Sequence, residues 1–220
     1  MLPTTLFIPL GRDSTWNNNE LKYALRSWDK FGSIERVIII GEKPDWYTGD
    51  HHEWPKIILP KTEDIFRKTQ MAATLCESFI YANDDHILLE PLTSLPYYYQ
   101  GFIHEFRGGS ETFMRYVCNT DRICPQGKYF DVHTPMVIES DIMLSLPYVN
   151  DTIMKSCYGY EIGAEGEPYK DCKINQHLRT EEIEKRLEGL PMFSFGDNGL
   201  SNDMRKYLIN KFPEKSKWEK

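Results

Sequence analysis

Arg36-Val37-Ile38-Ile39-Ile40-Gly41 is the clearest strand signal in the sequence. The run has four consecutive β-branched residues and no alternation of polar and apolar positions. This pattern is typical of a strand that is covered on both faces of a parallel sheet. We therefore expect it to lie inside an α/β sheet with helices on either side.

The same alternation of strand and helix signals extends outward from this run. Upstream, an apolar run precedes Gly11, and Asn17 to Asn19 can cap a helix that Gly32 ends. Downstream there are two more strand signals with one helix between them. The predicted strands are at 5–10, 36–41, 56–59 and 78–82, and the predicted helices at 20–31 and 63–76. The β-α-β-β-α-β order predicts an α/β fold with a mostly parallel, Rossmann-like sheet and flanking helices.

The second half of the chain gives a less regular pattern. It predicts strands at 101–106 and 130–139, helices at 141–146, 181–187 and 202–212, and a charged tail at 213–220 that frays. We find no repeat and no linker that would mark an independent unit. The sequence therefore predicts one domain over residues 1–220, with a first half at 1–95 and a second half at 96–220.

The composition excludes several classes of protein. The 220 residues are 40% hydrophobic and 27% charged, with a net charge of −7, which argues against a nucleic-acid-binding protein. The five cysteines include no CxxC pair, which favours free thiols in a reducing compartment. No apolar run is long enough to span a membrane, and Met1 to Gly11 lacks a basic signal-peptide region. We expect a cytoplasmic location, and peripheral association with a membrane remains open.

Three polar loops follow the predicted strands, at Gly11–Trp16, Gly41–Lys43 and Asn83–His86. Ligands of open α/β sheets bind beyond the carboxyl ends of the strands. In the first loop, Gly11, Arg12 and Asp13 precede a helix whose N-terminal N–H groups can meet an anion. We expect the three loops to converge on one ligand site.

Asn83-Asp84-Asp85-His86 is the strongest chemical signal in the sequence. Two adjacent carboxylates repel each other unless a cation or hydrogen-bond donors offset their charge. Mg²⁺ and Mn²⁺ take oxygen ligands and often bind one or two carboxylates together with substrate phosphates. The loop therefore predicts a metal site at Asp84 and Asp85, with His86 as a further candidate ligand. A simple turn of Asn-Asp-Asp composition is the alternative.

Two further groups of residues are candidates for chemistry. His133 could act as a base, and Asp131, two residues earlier in the predicted strand, could orient its imidazole. A structural core histidine is the alternative. Arg67 and Lys68 lie on the helix before the acidic loop and could bind phosphate, although basic residues on a helix are more often a solvated face.

Several of these motifs resemble a known family. One resemblance is to the DxD-type metal site of GT-A glycosyltransferases, and it rests on the strand that ends in Asn83–His86 and on its lead-in Cys76-Glu77-Ser78-Phe79. More narrowly, the same stretch resembles the Stealth group of capsular polysaccharide transferases. Met192–Asn198 and Phe212–Glu219 look like the Stealth C-terminal region, and His133-Thr134-Pro135 is loosely similar to its middle region. The opening Ile8–Ser14 departs from the Stealth pattern.

The resemblance implies a metal-dependent transferase with a nucleotide-diphosphate sugar donor. Residues 1–95 would then bind the nucleotide-sugar, and residues 96–220 would face a carbohydrate or lipid-linked glycan acceptor in surface polysaccharide synthesis. The resemblance implies Asp84 and Asp85 for the metal, and His133 with Arg67 or Lys68 for the reacting centre and the phosphates. Together with the residue patterns above, the candidates are Asp84, Asp85 and His86 for Mn²⁺ or Mg²⁺, His133, Asp131 and Asp85 for catalysis, and Gly11, Arg12, Asp13, Gly41, Arg67, Lys68 and Asp84 for the donor.

Two other functions stay open at this point. A Stealth-like enzyme would transfer a hexose-1-phosphate and not the sugar alone. A non-catalytic carbohydrate- or nucleotide-binding module would use aromatic side chains, such as Tyr97-Tyr98-Tyr99, to stack on a sugar.

Overall fold

The computed structural model describes residues 1–12, 14–56, 58–169 and 171–220. The first half contains, in chain order, β1 (Thr5–Leu10), α1 (Asn19–Phe31), β2 (Arg36–Gly41), β3 (Asp50–Glu53), α2 (Lys61–Ala73), β4 (Ser78–Tyr81) and β5 (Ile87–Leu88). The second half contains β6 (Tyr98–Tyr99), a 3₁₀ turn (Ile103–Glu105), α3 (Glu111–Ile123), β7 (Met136–Glu139), α4 (Ser140–Ser145), α5 (Met154–Glu161), β8 (Glu167–Pro168), β9 (Lys173–Ile174), α6 (Thr180–Leu187), β10 (Met192–Phe195) and α7 (Asn202–Lys211).

The central sheet has the strand order β3-β2-β1-β4-β7. The first four strands are parallel, and β7 runs antiparallel to β4 at one edge. Thr5 lies opposite Arg36 and Leu10 opposite Gly41, so β1 and β2 end level with each other. The order 3-2-1-4 is that of the first half of a doubly wound sheet. The predicted Rossmann-like α/β fold, mostly parallel, is confirmed.

Alternate residues of the central strands enter two cores, one on each face of the sheet. Leu6 and Ile8 pack with Leu21 and Trp28 of α1 on one face. Phe7 packs on the other face, in the core that also takes residues of α2. Each fully buried side chain of this kind stabilises the fold by roughly 1.5–3 kcal/mol relative to leaving it exposed. The unbroken apolar run of β2 follows from this coverage on both sides.

The strand predicted at 56–59 is wrong in its position. The structure forms β3 at Asp50–Glu53 instead, parallel to β2, with Ile38 opposite Asp50. Lys56 and Leu59 lie outside any strand, Ile58 is fully exposed, and Ile57 is outside the described residues. β3 is an edge strand that needs only backbone pairing on one side, so its polar Asp-His-His-Glu sequence carries no apolar signal.

The second half brings two short segments beside the central sheet. β10 pairs antiparallel with β5 and parallel with β9. Since β5 follows directly after the Asn83–His86 loop, this pairing places the end of β10 and Lys173 next to that loop. The predicted helices near 141–146, 181–187 and 202–212 are present. The predicted strand at 101–106 contains a 3₁₀ turn, and that at 130–139 is a strand only from Met136 to Glu139.

The segment 213–220 is ordered against α1 and does not fray. Arg26 donates two hydrogen bonds of 2.8 Å to the carboxylate of Glu219, and Trp218 is buried. The backbone of Thr48 donates to the carbonyl of Trp218 at 3.0 Å. The contacts of Glu219 and Trp218 therefore attach this segment to the rest of the protein. Over the ranges that the structure describes, no helix combines the length and the apolarity needed to cross a bilayer.

Candidate active site

A cavity of about 540 Å³ opens where β1 and β4 end. Its wall is formed by the loops after these strands, the first turns of α1 and α2, and the ends of β9 and β10. The polar and charged lining residues are Arg12, Ser14, Thr15, Asn18, Glu20, Lys61, Asp64, Lys68, Asn83, Asp84, Asp85, Lys173 and Asp197. The cavity therefore lies at the edge of the sheet where the sequence predicts a ligand site.

A smaller pocket of about 190 Å³ adjoins this cavity and shares Gly11, Arg12, Asp64 and Lys68 with it. Gly41 and Trp54 lie on its far side. The loops after β1, β2 and β4 thus border one continuous groove. Gly41 has φ of +139°, and a Cβ there would lie 1.9 Å from the carbonyl oxygen of Leu10, so only glycine fits.

Asp84 and Asp85 lie side by side in the wall of the large cavity. Burial, the neighbouring carboxylate of Asp85 and that of Glu20 raise the pKa of Asp84 to about 7. Burial also raises the pKa of Asp85, although the charge of Lys173 acts in the opposite direction. The positive charge near the two carboxyl groups is therefore too small to offset their repulsion when both are ionised.

The acidic loop is held in place by neighbouring elements. The indole Nε1 of Trp28 donates to the carbonyl of His86 at 3.1 Å, and the hydroxyl of Ser27 accepts from the backbone of Leu88 at 3.0 Å. At the start of the loop, the hydroxyl of Tyr81 donates to the side chain of Asn83 at 3.0 Å. The carboxylates therefore project from a fixed backbone, anchored mainly to α1.

The acidic pair fits a hard divalent cation. Both ligands are carboxylate oxygens, and their shared repulsion is relieved when a cation binds between them. Within the described ranges, no group of three or more His, Cys, Asp or Glu side chains is arranged to hold a metal. The protein would supply two ligands, and water or substrate phosphates would supply the rest, as Mg²⁺ and Mn²⁺ sites in phosphate-transferring enzymes do.

His86 does not have the geometry of a metal ligand. Burial lowers the pKa of His86 well below its usual range, so the ring is neutral. Nδ1 accepts the backbone N–H of Asn83 at 3.3 Å, which leaves the ring proton on Nε2. A protonated nitrogen has no lone pair for a metal. Nε2 lies 3.9 Å from the carboxylate of Asp85, which is too far for a hydrogen bond, and it has no hydrogen-bond partner among the described residues.

His133 has a different partner from the one that the sequence predicts. Its Nδ1 lies 2.6 Å from Oδ2 of Asp171, and both side chains are about 30% exposed. Asp131 was expected on the same face of a strand, but residues 132–134 form a bend, so the two-residue periodicity does not apply. Burial would raise the pKa of Asp171, but the hydrogen bond and charge of His133 outweigh it and lower that pKa.

Two lysines that no sequence pattern indicates also lie in this region. Nζ of Lys155 is buried and donates to the carbonyls of Val132 and Thr134 at 2.6 and 3.0 Å, which holds the His133 bend. Burial lowers the pKa of Lys155, although nearby carboxylates, Asp131 first, oppose the shift. Nζ of Lys173 lies 3.8 Å from Asp85. Only tertiary contacts bring these lysines near the acidic loop and His133. Helix or strand periodicity therefore gives no signal for them.

The predicted basic residues of α2 divide between the two sides of the helix. Lys68 is buried in the groove, where Nζ donates to the carbonyl of Leu10 at 3.0 Å and pairs with Asp64 at 2.7 Å. Arg67 pairs with Glu63 at 3.5 Å and lies over the ring of Tyr148, so the structure does not bring it to the cavity. Asp13, also predicted to bind the donor, lies outside the described residues.

The three consecutive tyrosines do not form an open stacking surface. Tyr98 packs against Tyr169 with 4.5 Å between ring centroids, and Tyr99 packs against Phe130 at 6.1 Å. The side chain of Tyr97 contacts Tyr158. All three rings are half-buried and already have aromatic partners inside the protein, which weakens the case for a binding module built on them.

Comparison with known proteins gives no match to a protein-family model and none among curated proteins. Among solved structures, the chain is similar to the apo form of the glycosyltransferase GlyE of Streptococcus pneumoniae TIGR4, at 10% identity and a TM-score of 0.46, over 96% of this chain and 60% of that one. It is also similar to a glycosyltransferase involved in the glycosylation of the major capsid of PBCV-1, at 11% identity and a TM-score of 0.41, over 94% of this chain and 97% of that one. Similarity at this level transfers no residue role and no activity.

Proposed function

We propose that this protein is a metal-dependent glycosyltransferase that takes its donor from a nucleotide-diphosphate sugar. The observation that carries the proposal is the pair of carboxylates, Asp84 and Asp85, at the carboxyl end of a central parallel strand and facing a cavity of about 540 Å³. A pair of this kind suits a Mg²⁺ or Mn²⁺ ion that also contacts a diphosphate. The bound ion would supply charge stabilisation for the departing diphosphate.

The positive side chains of the groove support a phosphate ligand. Arg12 and Lys61 line the same cavity as the acidic pair, and Nζ of Lys173 lies 3.8 Å from Asp85. A cation and a diphosphate bound between these groups would satisfy charges of both signs. The adjoining pocket with Trp54 and Gly41 then offers a partly apolar space for the base of the nucleotide.

His133 and Asp171 do not line the cavity, but the charge of His133 acts on Asp85, and this pair is the best candidate for moving a proton in the reaction. The acceptor hydroxyl would attack the anomeric carbon, the bond from that carbon to the diphosphate would break, and Nε2 of His133 would take the hydroxyl proton. Asp171, bonded to Nδ1, would fix the tautomer and stabilise the imidazolium that forms. Asp131 would act indirectly, by its charge near Lys155.

A sugar-phosphate transferase is the second candidate, and the motifs Asn83–His86 and Met192–Asn198 favour it through their resemblance to the Stealth group. In that reaction the acceptor would attack phosphorus, and a nucleoside monophosphate would leave. The same resemblance supports a carbohydrate or lipid-linked glycan as the acceptor, in surface polysaccharide synthesis at or near a membrane.

Turnover with by-product analysis tests the proposal. The purified protein should release a nucleoside diphosphate from one of a panel of UDP-, GDP- and dTDP-sugars when Mn²⁺ and a glycan acceptor are present, and EDTA should stop it. Asp85→Asn should lower turnover by about 10²-fold or more, because the cation loses a ligand. Asp45→Asn, at an exposed site away from the cavity, is the control.

Each outcome of this experiment separates the alternatives. Release of a nucleoside monophosphate would support the sugar-phosphate transferase instead. Sugar binding that survives both EDTA and Asp85→Asn, with no by-product, would support a binding module and contradict the enzyme.

A further inference from the structure

Glu20 is a third carboxylate in the large cavity, and its environment is unusual. It lies in the first turn of α1, is only 9% exposed, and lines the cavity together with Asp84. Its Oε2 is buried and has no hydrogen-bond partner among the described residues. No motif in the sequence marks this residue, because a glutamate in the first turn of a helix is common.

The position of Glu20 on its helix does not explain its burial. An acidic side chain in the first turn interacts favourably with the helix dipole, but it does so equally well when solvated. A buried carboxylate oxygen without a donor costs stability. Because the side chain of Glu20 lines the cavity, a ligand that enters the cavity can bring the missing donor.

Glu20 is not placed as a third ligand beside the acidic pair. The carboxylate of Glu20 is close enough to Asp84 to raise the pKa of that residue, but it does not form a three-residue ligand group with the acidic pair. Its neighbours in the cavity wall include Ser14, Thr15 and Asn18, which are neutral and polar. Such a wall suits a neutral ligand with several hydroxyl groups.

We propose that Glu20 accepts hydrogen bonds from hydroxyl groups of the sugar carried by the donor, and that the site selects neutral sugars. The inference rests on the proposed function, since it assigns the sugar end of the same donor. Glu20 and Asp84 together would repel a sugar that carries its own carboxylate, such as a uronic acid. Glu20 is thus assigned as a specificity-determining residue of the donor site.

Calorimetric titration can separate the sugar from the nucleotide. The probes are UDP-glucose, GDP-mannose and dTDP-glucose, and the affinity for each is compared with that for its free nucleoside diphosphate. A further comparison sets UDP-glucuronate against UDP-glucose. All titrations contain Mn²⁺. Glu20→Gln and Glu20→Leu should lower affinity for the preferred nucleotide-sugar by about tenfold or more, because a hydrogen bond to a charged group is weakened or lost. Affinity for the free nucleoside diphosphate should change by less than about threefold.

Controls make the result specific to Glu20. Glu111→Gln changes the matching first-turn glutamate of α3, which is exposed, and should alter neither affinity. A melting temperature of Glu20→Gln at or above that of the wild type shows that this variant folds. Wild-type protein should also bind UDP-glucose more tightly than UDP-glucuronate if it uses UDP.

The outcomes distinguish this inference from the proposed function. If wild-type protein binds none of the nucleotides, the proposed function fails and this inference with it. If wild-type protein binds the nucleotide-sugar and both Glu20 variants bind it equally well, only the assignment of Glu20 is overturned. Equal loss of nucleotide and nucleotide-sugar binding would overturn it too, because Glu20 would then support the whole site.

Discussion

Asp84 links the chemistry of the site to the stability of the protein. Its pKa is raised to about 7, mainly by burial and by Asp85, whereas the unfolded chain releases this proton near 3.8. Between these values the folded state binds more protons than the unfolded state. The free energy of unfolding contributed by this group therefore falls as the pH rises from about 4 to 7.

Asp84→Asn should accordingly stabilise the metal-free protein. At pH 8 the variant should melt a few degrees above wild type, and the difference should narrow as the pH is lowered toward 5. Thermal unfolding in EDTA at both pH values measures this. A variant that melts below wild type at pH 8 would contradict the account of a repelling carboxylate pair.

The proton on Asp84 must leave before a cation binds, so metal affinity should depend on pH. Mn²⁺ should bind wild-type protein more tightly at pH 8 than at pH 6, with release of protons. Calorimetric titration in two buffers of different ionisation enthalpy measures both quantities. Equal affinity at the two pH values, without proton release, would show that the acidic pair is not the metal site.

The pair of His133 and Asp171 makes a separate residue-scale prediction. Asp171→Asn removes the charge that stabilises an imidazolium and should lower kcat by about 10²–10⁴-fold while leaving donor affinity within a few-fold. Steady-state kinetics with a titration of the donor measures the two effects. A rise in KM with unchanged kcat would instead indicate a binding role.

The sequence predicted part of this site for a clear physical reason. Asp84 and Asp85 directly follow a buried strand, and the carboxyl end of a parallel strand is where such a sheet binds ligands. Glu20 and Lys173 reach the cavity, and Asp171 reaches His133, only through the packing of distant segments, so no local pattern indicates them. The sequence indicates Asp131 as the partner of His133 because 130–139 has the pattern of a strand, whereas residues 132–134 form a bend.

At the scale of elements, α1 supports the acidic loop as well as the core. Trp28 is fully buried, and its indole nitrogen holds the carbonyl of His86 at 3.1 Å. Together with the bond between Ser27 and Leu88, this hydrogen bond links the helix to the backbone that carries the carboxylates. Weakening it should therefore affect metal binding as well as stability.

Trp28→Phe keeps an aromatic ring but removes the donor. We expect a loss of about 1–3 kcal/mol in the free energy of unfolding, from the unpaired carbonyl and the smaller ring, and weaker Mn²⁺ binding. Tyr47→Phe is the matched control, because it removes a buried hydrogen bond of 2.9 Å to Val37, away from the loop. Urea unfolding and Mn²⁺ titration of both variants test this. Equal effects on Mn²⁺ binding would contradict the link.

The elements that the sequence predicts best are those with packing on both faces. β1, β2 and β4 supply the buried interior of the sheet, so their apolar runs identify them. β3 is an edge strand of polar residues, and its pairing depends on β2 and not on its own composition. This is why the sequence places the strand at 56–59, where a short apolar run lies in an exposed segment.

At the scale of the whole molecule, segment 213–220 packs against α1 and the loop before β3. The ion pair of Arg26 and Glu219 joins residues far apart in the chain and is largely buried, with side chains 12% and 3% exposed. Burial would raise the pKa of Glu219, but the hydrogen bonds from Arg26 and Ser216 together with the charge of Arg26 outweigh burial and lower it. The stabilisation from Glu219 is therefore present above its unfolded pKa and is lost as the pH falls through the folded value.

Glu219→Ala should cost about 3–5 kcal/mol at pH 7, since it leaves a buried guanidinium without its carboxylate. The cost should shrink as the pH is lowered toward 3. Glu63→Ala removes the partner of Arg67 in an exposed pair at 3.5 Å and should cost less than about 1 kcal/mol. Chemical unfolding at several pH values measures the free energy of unfolding of both variants. If Glu219→Ala lowers it by as little as Glu63→Ala does, the segment is not held by this pair.

The central claim is that Asp84 and Asp85 hold a cation that in turn holds the diphosphate of a nucleotide-sugar. Anomalous diffraction from crystals soaked with Mn²⁺ and the nucleotide-sugar that binds best measures this directly. The account predicts one strong manganese peak in contact with carboxylate oxygens of Asp84 and Asp85 and with the diphosphate, inside the cavity of about 540 Å³. A nucleotide-sugar bound elsewhere, or bound in the cavity with no ion at this acidic pair, would contradict it.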